Sequence, residues 1–198
     1  LERISEANAR GIAMRAQVAA RAIGLMLGLE ATLNPFMYSP AYQAIAHLPL
    51  AERVARMRDP AVRRAIIEQT TVDPKGLLGS NMLDQYQAIF RLGNPPDYEP
   101  AASTSALAVA EREGRAPAQV TYDWLLENDG HALLYAPTLN YTDGNLDVVR
   151  TMLTHPHTVP GLSDGGAHVG TICDVSFPTT LLQWWGRDRP RDRIPLEF

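Results

Sequence analysis

A chain of 198 residues, 45% hydrophobic and 20% charged, is long enough for one substantial core and has the composition of a globular protein. Its 18 basic and 22 acidic residues leave a net charge of -4, which argues against nucleic acid or an anionic membrane surface as the main partner. The arginines are interspersed with acids (Arg63 and Arg64 near Glu68; Arg187 to Arg193 among Asp188 and Asp192), a pattern of solvated faces and ion pairs rather than a phosphate track.

Residues 2–10 read as the end of a helix stopped at Gly11. Residues 12–18 alternate large apolar with other side chains and predict a strand, followed by Arg21 and a flexible glycine stretch over 24–28. From Ser39 onward helix signals dominate. Ser39-Pro40 and Asp59-Pro60 each place a capping side chain before a proline at the first helical position. Leu50, Val54 and Met57 share one helical face, as do Val62 and Ile66. Residues 92–100 are the clearest loop. Thr104 or Ser105 caps a further helix ending at Gly114, and Pro117 opens another running to about Glu127.

The texture then changes. Residues 131–136 form a short apolar run after Asp129-Gly130, hence a buried strand. Residues 145–154 form an amphipathic helix with Leu146, Val149 and Leu153, residues 157–163 a second short strand, and residues 177–185 a helix. Strand, helix, strand, helix implies parallel β/α units, with a large helical insert in the middle of the chain.

The single cysteine, Cys173, excludes an intrachain disulfide framework and fits a reducing compartment, hence a cytoplasmic protein. No apolar run approaches the length of a membrane span. The first residues carry no signal-peptide pattern and no starting methionine, and the last stop without a terminating signal. The expectation is a piece of a longer polypeptide; the alternative is a complete small domain with processed ends.

The most informative stretch is Gly161-Leu162-Ser163-Asp164-Gly165-Gly166-Ala167-His168. An apolar strand ends in Ser-Asp, and two glycines let the backbone turn closely around whatever the aspartate holds. A carboxylate there can ligate a metal or accept a proton from an activated water. The bland alternative is that Asp164 caps a turn. His168, four residues on, reaches back toward a substrate.

Several other features mimic sites. His155-Pro156-His157 is a literal His-x-His, but at about 3.3 Å per strand residue His157 lies roughly 20 Å from Asp164, too far to share a metal. Gly161 to Gly165 also spells Gly-x-Ser-x-Gly, the elbow of serine hydrolases, which needs a helix directly after Ser163 and a later acid–His pair. Lys75 sits in a turn of the insert and reads as exposed. Cys173 has in Asp174 a neighbour that offers no base. His131 reads as a satisfied structural histidine, His47 as a surface one. Trp184 and Trp185 pack the last helix, or one of them lines a subunit contact.

The run from His155-Pro156 through Ser163-Asp164-Gly165 to Phe177-Pro178 resembles the last β/α unit of the amidohydrolase superfamily, in the branch of D-aminoacylase and N-acyl-D-amino-acid deacylases. Arg58-Asp59-Pro60 with Val62-Arg63 resembles that family's helical insert, and the stretch from Thr104 to Gly130 the helices leading out of it. The fold this implies is the C-terminal part of a (β/α)8 TIM-type barrel. Residues 1–38 would hold the penultimate strand unit, 39–128 a helical insert and 129–198 the last β/α unit.

The resemblance implies a zinc-dependent hydrolase of an N-acylated amino acid, with one or two zinc ions. Asp164 would be metal ligand or base, taking the attacking water's proton and delivering it to the leaving nitrogen, and His168 a substrate contact. The remaining ligands are expected upstream of Leu1, so residues 1–198 alone are expected to be inactive. At residues 17–24, where D-aminoacylases carry a tyrosine-rich stretch, this chain reads Gln-Val-Ala-Ala-Arg-Ala-Ile-Gly. Two other readings stand beside this one. One is a serine hydrolase using Ser163. The other is a non-catalytic interaction or assembly domain, with a homo-oligomer as one way to cover its exposed edges.

Overall fold

A computed structural model of the chain describes residues 1–69, 83–166, 168–172 and 174–198. Lys75 and Cys173 lie outside the described residues. In chain order the elements are α1 (Glu2–Ala9), β1 (Ala16–Ala19), β2 (Ile23–Leu27), α2 (Pro40–Gln43), α3 (Leu50–Met57), α4 (Pro60–Glu68), β3 (Phe90–Arg91), α5 (Ala106–Glu113), α6 (Pro117–Leu125), β4 (Leu134–Leu139), α7 (Asp147–Leu153), β5 (Thr158–Gly161) and α8 (Phe177–Thr180). The last helix continues in π-helical turns over Leu181–Asp188. The described residues are mixed α/β, and their strands form one two-stranded and one three-stranded sheet with no closed barrel among them. No described helix is long and apolar enough to cross a membrane.

The chain divides into two compact units, residues 1–24 with 137–198 and residues 25–136. In the first, β1 pairs in parallel with β5, Ala16 opposite Thr158 and Ala19 opposite Gly161. Val18, Leu146, Val149, Leu153 and Trp185 close one small core beside this pair. Trp185 is 1% exposed, and its indole N–H donates to the Ala20 carbonyl at 2.6 Å, so its one polar atom is satisfied in the interior.

The second unit is the helical one, and local chemistry explains its helices. Asp59 accepts hydrogen bonds from the Ala61 and Val62 amides and Pro60 presets the first turn of α4. Ser105 accepts from the Ala108 amide to start α5, and Gly114 ends it in the left-handed conformation. Ser39 differs from expectation. It precedes α2, but its hydroxyl is buried and makes no hydrogen bond among the described residues, so Pro40 alone marks that start. Val54, Met57, Ile66, Leu125 and Leu134 share a core with Phe36 and Tyr122, whose rings meet edge-on at 5.2 Å.

Three strands differ from their sequence reading, and the first is β1, expected over residues 12–18 and found only over Ala16–Ala19. Residues 24–28 are not a flexible stretch: β2 runs through them. A Cβ on Gly28 would stand 2.9 Å from Leu133 Cδ2, so that glycine serves close approach rather than mobility. The strand expected from His131 begins at Leu134. Asn128, Asp129 and Gly130 all have positive φ and turn the chain, so pairing starts only after it has straightened.

Candidate functional site

β5 ends at Gly161, and the sequence there is shaped by its neighbour strand. A Cβ at this position would lie 2.8 Å from Gln17 Cβ on β1, so glycine is what lets the parallel strands approach. Leu162 then takes φ of 70°, a costly conformation for a bulky side chain, and turns the backbone out of the strand. Ser163, Asp164 and Gly165 follow, all exposed. Gly166 at φ 93° and His168 at φ 52° continue the turn. Asp164 is thus presented to solvent between two non-glycine residues held in the left-handed region.

His168 lies on the same exposed loop. Its backbone carbonyl accepts from the Thr171 and Ile172 amides at 2.7 and 3.0 Å, closing a tight turn. Past that turn comes a 3-10 turn over Asp174–Ser176. It is packed on the Asp164 turn, since a Cβ on Gly165 would stand 3.2 Å from Val175 Cγ2.

Two residues that the sequence reading passed over define the buried side of this site. Asp174, set aside as offering no base, is only 4% exposed, and its Oδ1 has no hydrogen-bond partner among the described residues. Burial pushes its carboxyl above the usual range; the Arg21 charge pulls the other way, and the Asp164 charge adds to the rise. Arg21, two residues past β1, is 1% exposed. Its guanidinium donates to the Ala22 carbonyl at 3.1 Å and the Ser176 hydroxyl at 3.0 Å, and lies 4.3 Å over the Phe177 ring. A signal for Arg21 was present: one cation in an apolar stretch needs partners if that stretch is buried.

The other histidines are elsewhere. His155 Nε2 is 3.4 Å from the Ser5 hydroxyl and its Nδ1 accepts from the His157 amide. His157 Nδ1 is 3.1 Å from an Arg15 nitrogen, at the opposite end of β5 from Asp164. His131 pairs with Glu30 at 2.7 Å, and His47 is exposed. The Ser163 elbow lacks its helix, because residues 164–166 are non-helical.

No family model, no curated protein and no solved structure matches the chain.

What the geometry offers chemically is therefore read from the site itself. Zinc takes three or four protein ligands. Among the described residues no three His, Cys, Asp or Glu side chains come together to hold a metal ion. Asp164 and Asp174 are the carboxylates at this strand end, and Asp174 is buried beside an arginine. Of these two carboxylates, Asp164 is exposed to solvent, and Asp174 is enclosed.

Proposed function

We propose that this chain is part of a cytoplasmic, zinc-dependent hydrolase of linear amide C–N bonds, with an N-acyl-D-amino acid as substrate class and Asp164 as its proton-transferring carboxylate. The observation that carries the reading is an exposed aspartate on a strained turn at the carboxyl end of a parallel strand. In α/β folds that end is where ligands gather. In this reading β1 and β5 are the last two strands of a (β/α)8 barrel, and the helical unit between them is an insert.

Asp164 would take a proton from water as the water oxygen bonds to the amide carbonyl carbon. It would return that proton to nitrogen as the C–N bond breaks, leaving a carboxylic acid and an amine, and the acid's proton then passes to the amine to give carboxylate and ammonium. His168, on the same loop, would contact the substrate. Zinc would need ligands from polypeptide outside these 198 residues, and its contribution would be to polarise the carbonyl and acidify the water.

Residues 1–198, purified alone, are therefore expected to hold less than one zinc per chain and to release no amine from N-acyl-D-amino acids. Metal analysis and an amine-release assay check this. One tightly bound zinc per chain would overturn the claim that outside ligands are needed, and turnover by the isolated chain would overturn the barrel-fragment reading.

A further inference from the structure

Asp164 is exposed, so little of its own side chain fixes where it points; the turn that carries it must be held from the side. That turn meets the turn Asp174–Ser176 through Gly165 and Val175, at a distance where a side chain on residue 165 would have to displace its neighbour. The second turn is in turn clasped by Arg21. One guanidinium nitrogen donates to Ser176, another to the Ala22 carbonyl, and the plane covers the buried Phe177 ring. The links lead from Arg21 through Ser176 to Val175, which stands beside the Asp164 turn at Gly165.

We propose that Arg21 is a positioning residue for Asp164, acting through the turn Asp174–Ser176. A fully buried arginine is an expensive group to keep unless its directed donors set a geometry. Here they hold a segment that stands beside the aspartate's turn at Gly165. The proposal rests on Asp164 being the functional carboxylate, but its test does not need activity.

The test is nuclear magnetic resonance of isotope-labelled residues 1–198, with a thermal melt of each variant. Ser176→Ala removes one Arg21 acceptor, and Val175→Ala, at a position that is 63% exposed, removes the methyl that stands nearest Gly165. Both are expected to melt like the parent and to move the amide resonances of residues 163–166, while resonances of α7 stay in place. Arg21→Lys keeps the charge but not the two directed donors, and is expected to move the same resonances further. If Arg21→Lys does not fold, the Ser176 and Val175 variants decide. Shifts confined to residues 174–177 in folded variants, with 163–166 unchanged, would overturn the positioning role. Such a result would leave Asp164 itself untouched. Conversely, loss of the hydrolase reading in an activity assay would not alter these resonances.

Discussion

At the scale of single residues, the two aspartates near the end of β5 show how environment divides one side chain into two roles. Asp164 stands in solvent; Asp174 is enclosed, and its raised pKa makes it a group that resists ionising. The consequence for stability has a definite sign. An unfolded aspartate loses its proton near pH 3.9. Between that value and the higher folded one, the folded chain keeps a proton that the unfolded chain has released, so stability falls as pH rises through the window. Asp174→Asn fixes the neutral form. Its denaturation midpoint relative to the parent is expected to climb as pH rises above about 4. A midpoint difference that stays flat across that range would show the carboxyl is not held protonated. Asp164 was legible in the sequence because a strand ending in Ser-Asp-Gly is a local pattern. Arg21 carried only the signal of a cation in an apolar stretch, and its place near Asp174 was not legible, because it depends on the β1–β5 pairing, which joins distant parts of the chain.

At the scale of elements, the helices were read more accurately than the strands, and the reason is local. Asp59 and Ser105 hydrogen-bond amides two or three residues away, and Gly114 needs only its own φ, so their signals survive without tertiary context. β2 was missed because the glycines at 24 and 28 look like a hinge until Leu133 is placed beside Gly28. β4 was set three residues early because a run of positive φ at 128–130 is invisible in composition. α6 offers a test of how its helix is anchored. The Tyr122 hydroxyl donates to the Met57 carbonyl at 2.9 Å inside the core. Burial is the main reason its pKa is pushed well up, with Asp123 adding and Arg63 opposing. A raised folded pKa contributes stability below the ordinary tyrosine value of about 10, and that stability is lost as pH rises through the folded value. Tyr122→Phe is expected to cost about 1 kcal/mol at neutral pH, because the Met57 carbonyl loses its donor, and to flatten the alkaline loss. Denaturation curves at neutral and alkaline pH measure both effects, and an unchanged alkaline slope would contradict them.

At the scale of the whole molecule, two compact units carry different kinds of information: the helical one holds the larger core, and the one around β1 and β5 holds the candidate site. The latter is fastened at its C-terminal segment by charge. Arg189, 1% exposed and stacked on Trp185, donates to Asp147 Oδ1 at 2.5 Å, and Arg191 donates to Oδ2 at 2.9 Å. The Arg189 hydrogen bond first, and the Arg191 charge after it, hold the Asp147 carboxyl below its usual range. A depressed carboxylate contributes stability above its unfolded pKa, and that contribution is lost as pH falls through the folded one. Acid unfolding should therefore lose part of its pH dependence in Asp147→Asn. Because the carboxylate is nearly half exposed, salt should shrink the difference. An acid limb identical to the parent's would contradict this. The sequence reading saw these arginines as solvated ion pairs; Arg189 is the exception, because Trp185 and α7 enclose it.

The central claim is that Asp164, and not Ser163, does the chemistry. The most direct measurement is amine release from a panel of N-acyl-D- and N-acyl-L-amino acids by the longer zinc-loaded polypeptide proposed above, with Asp164→Asn and Ser163→Ala compared side by side. The account predicts that Asp164→Asn lowers turnover on the order of 10²- to 10⁴-fold with an unchanged melt, while Ser163→Ala stays within a few-fold of the parent. Near-normal turnover in Asp164→Asn, or its abolition in Ser163→Ala, would contradict it.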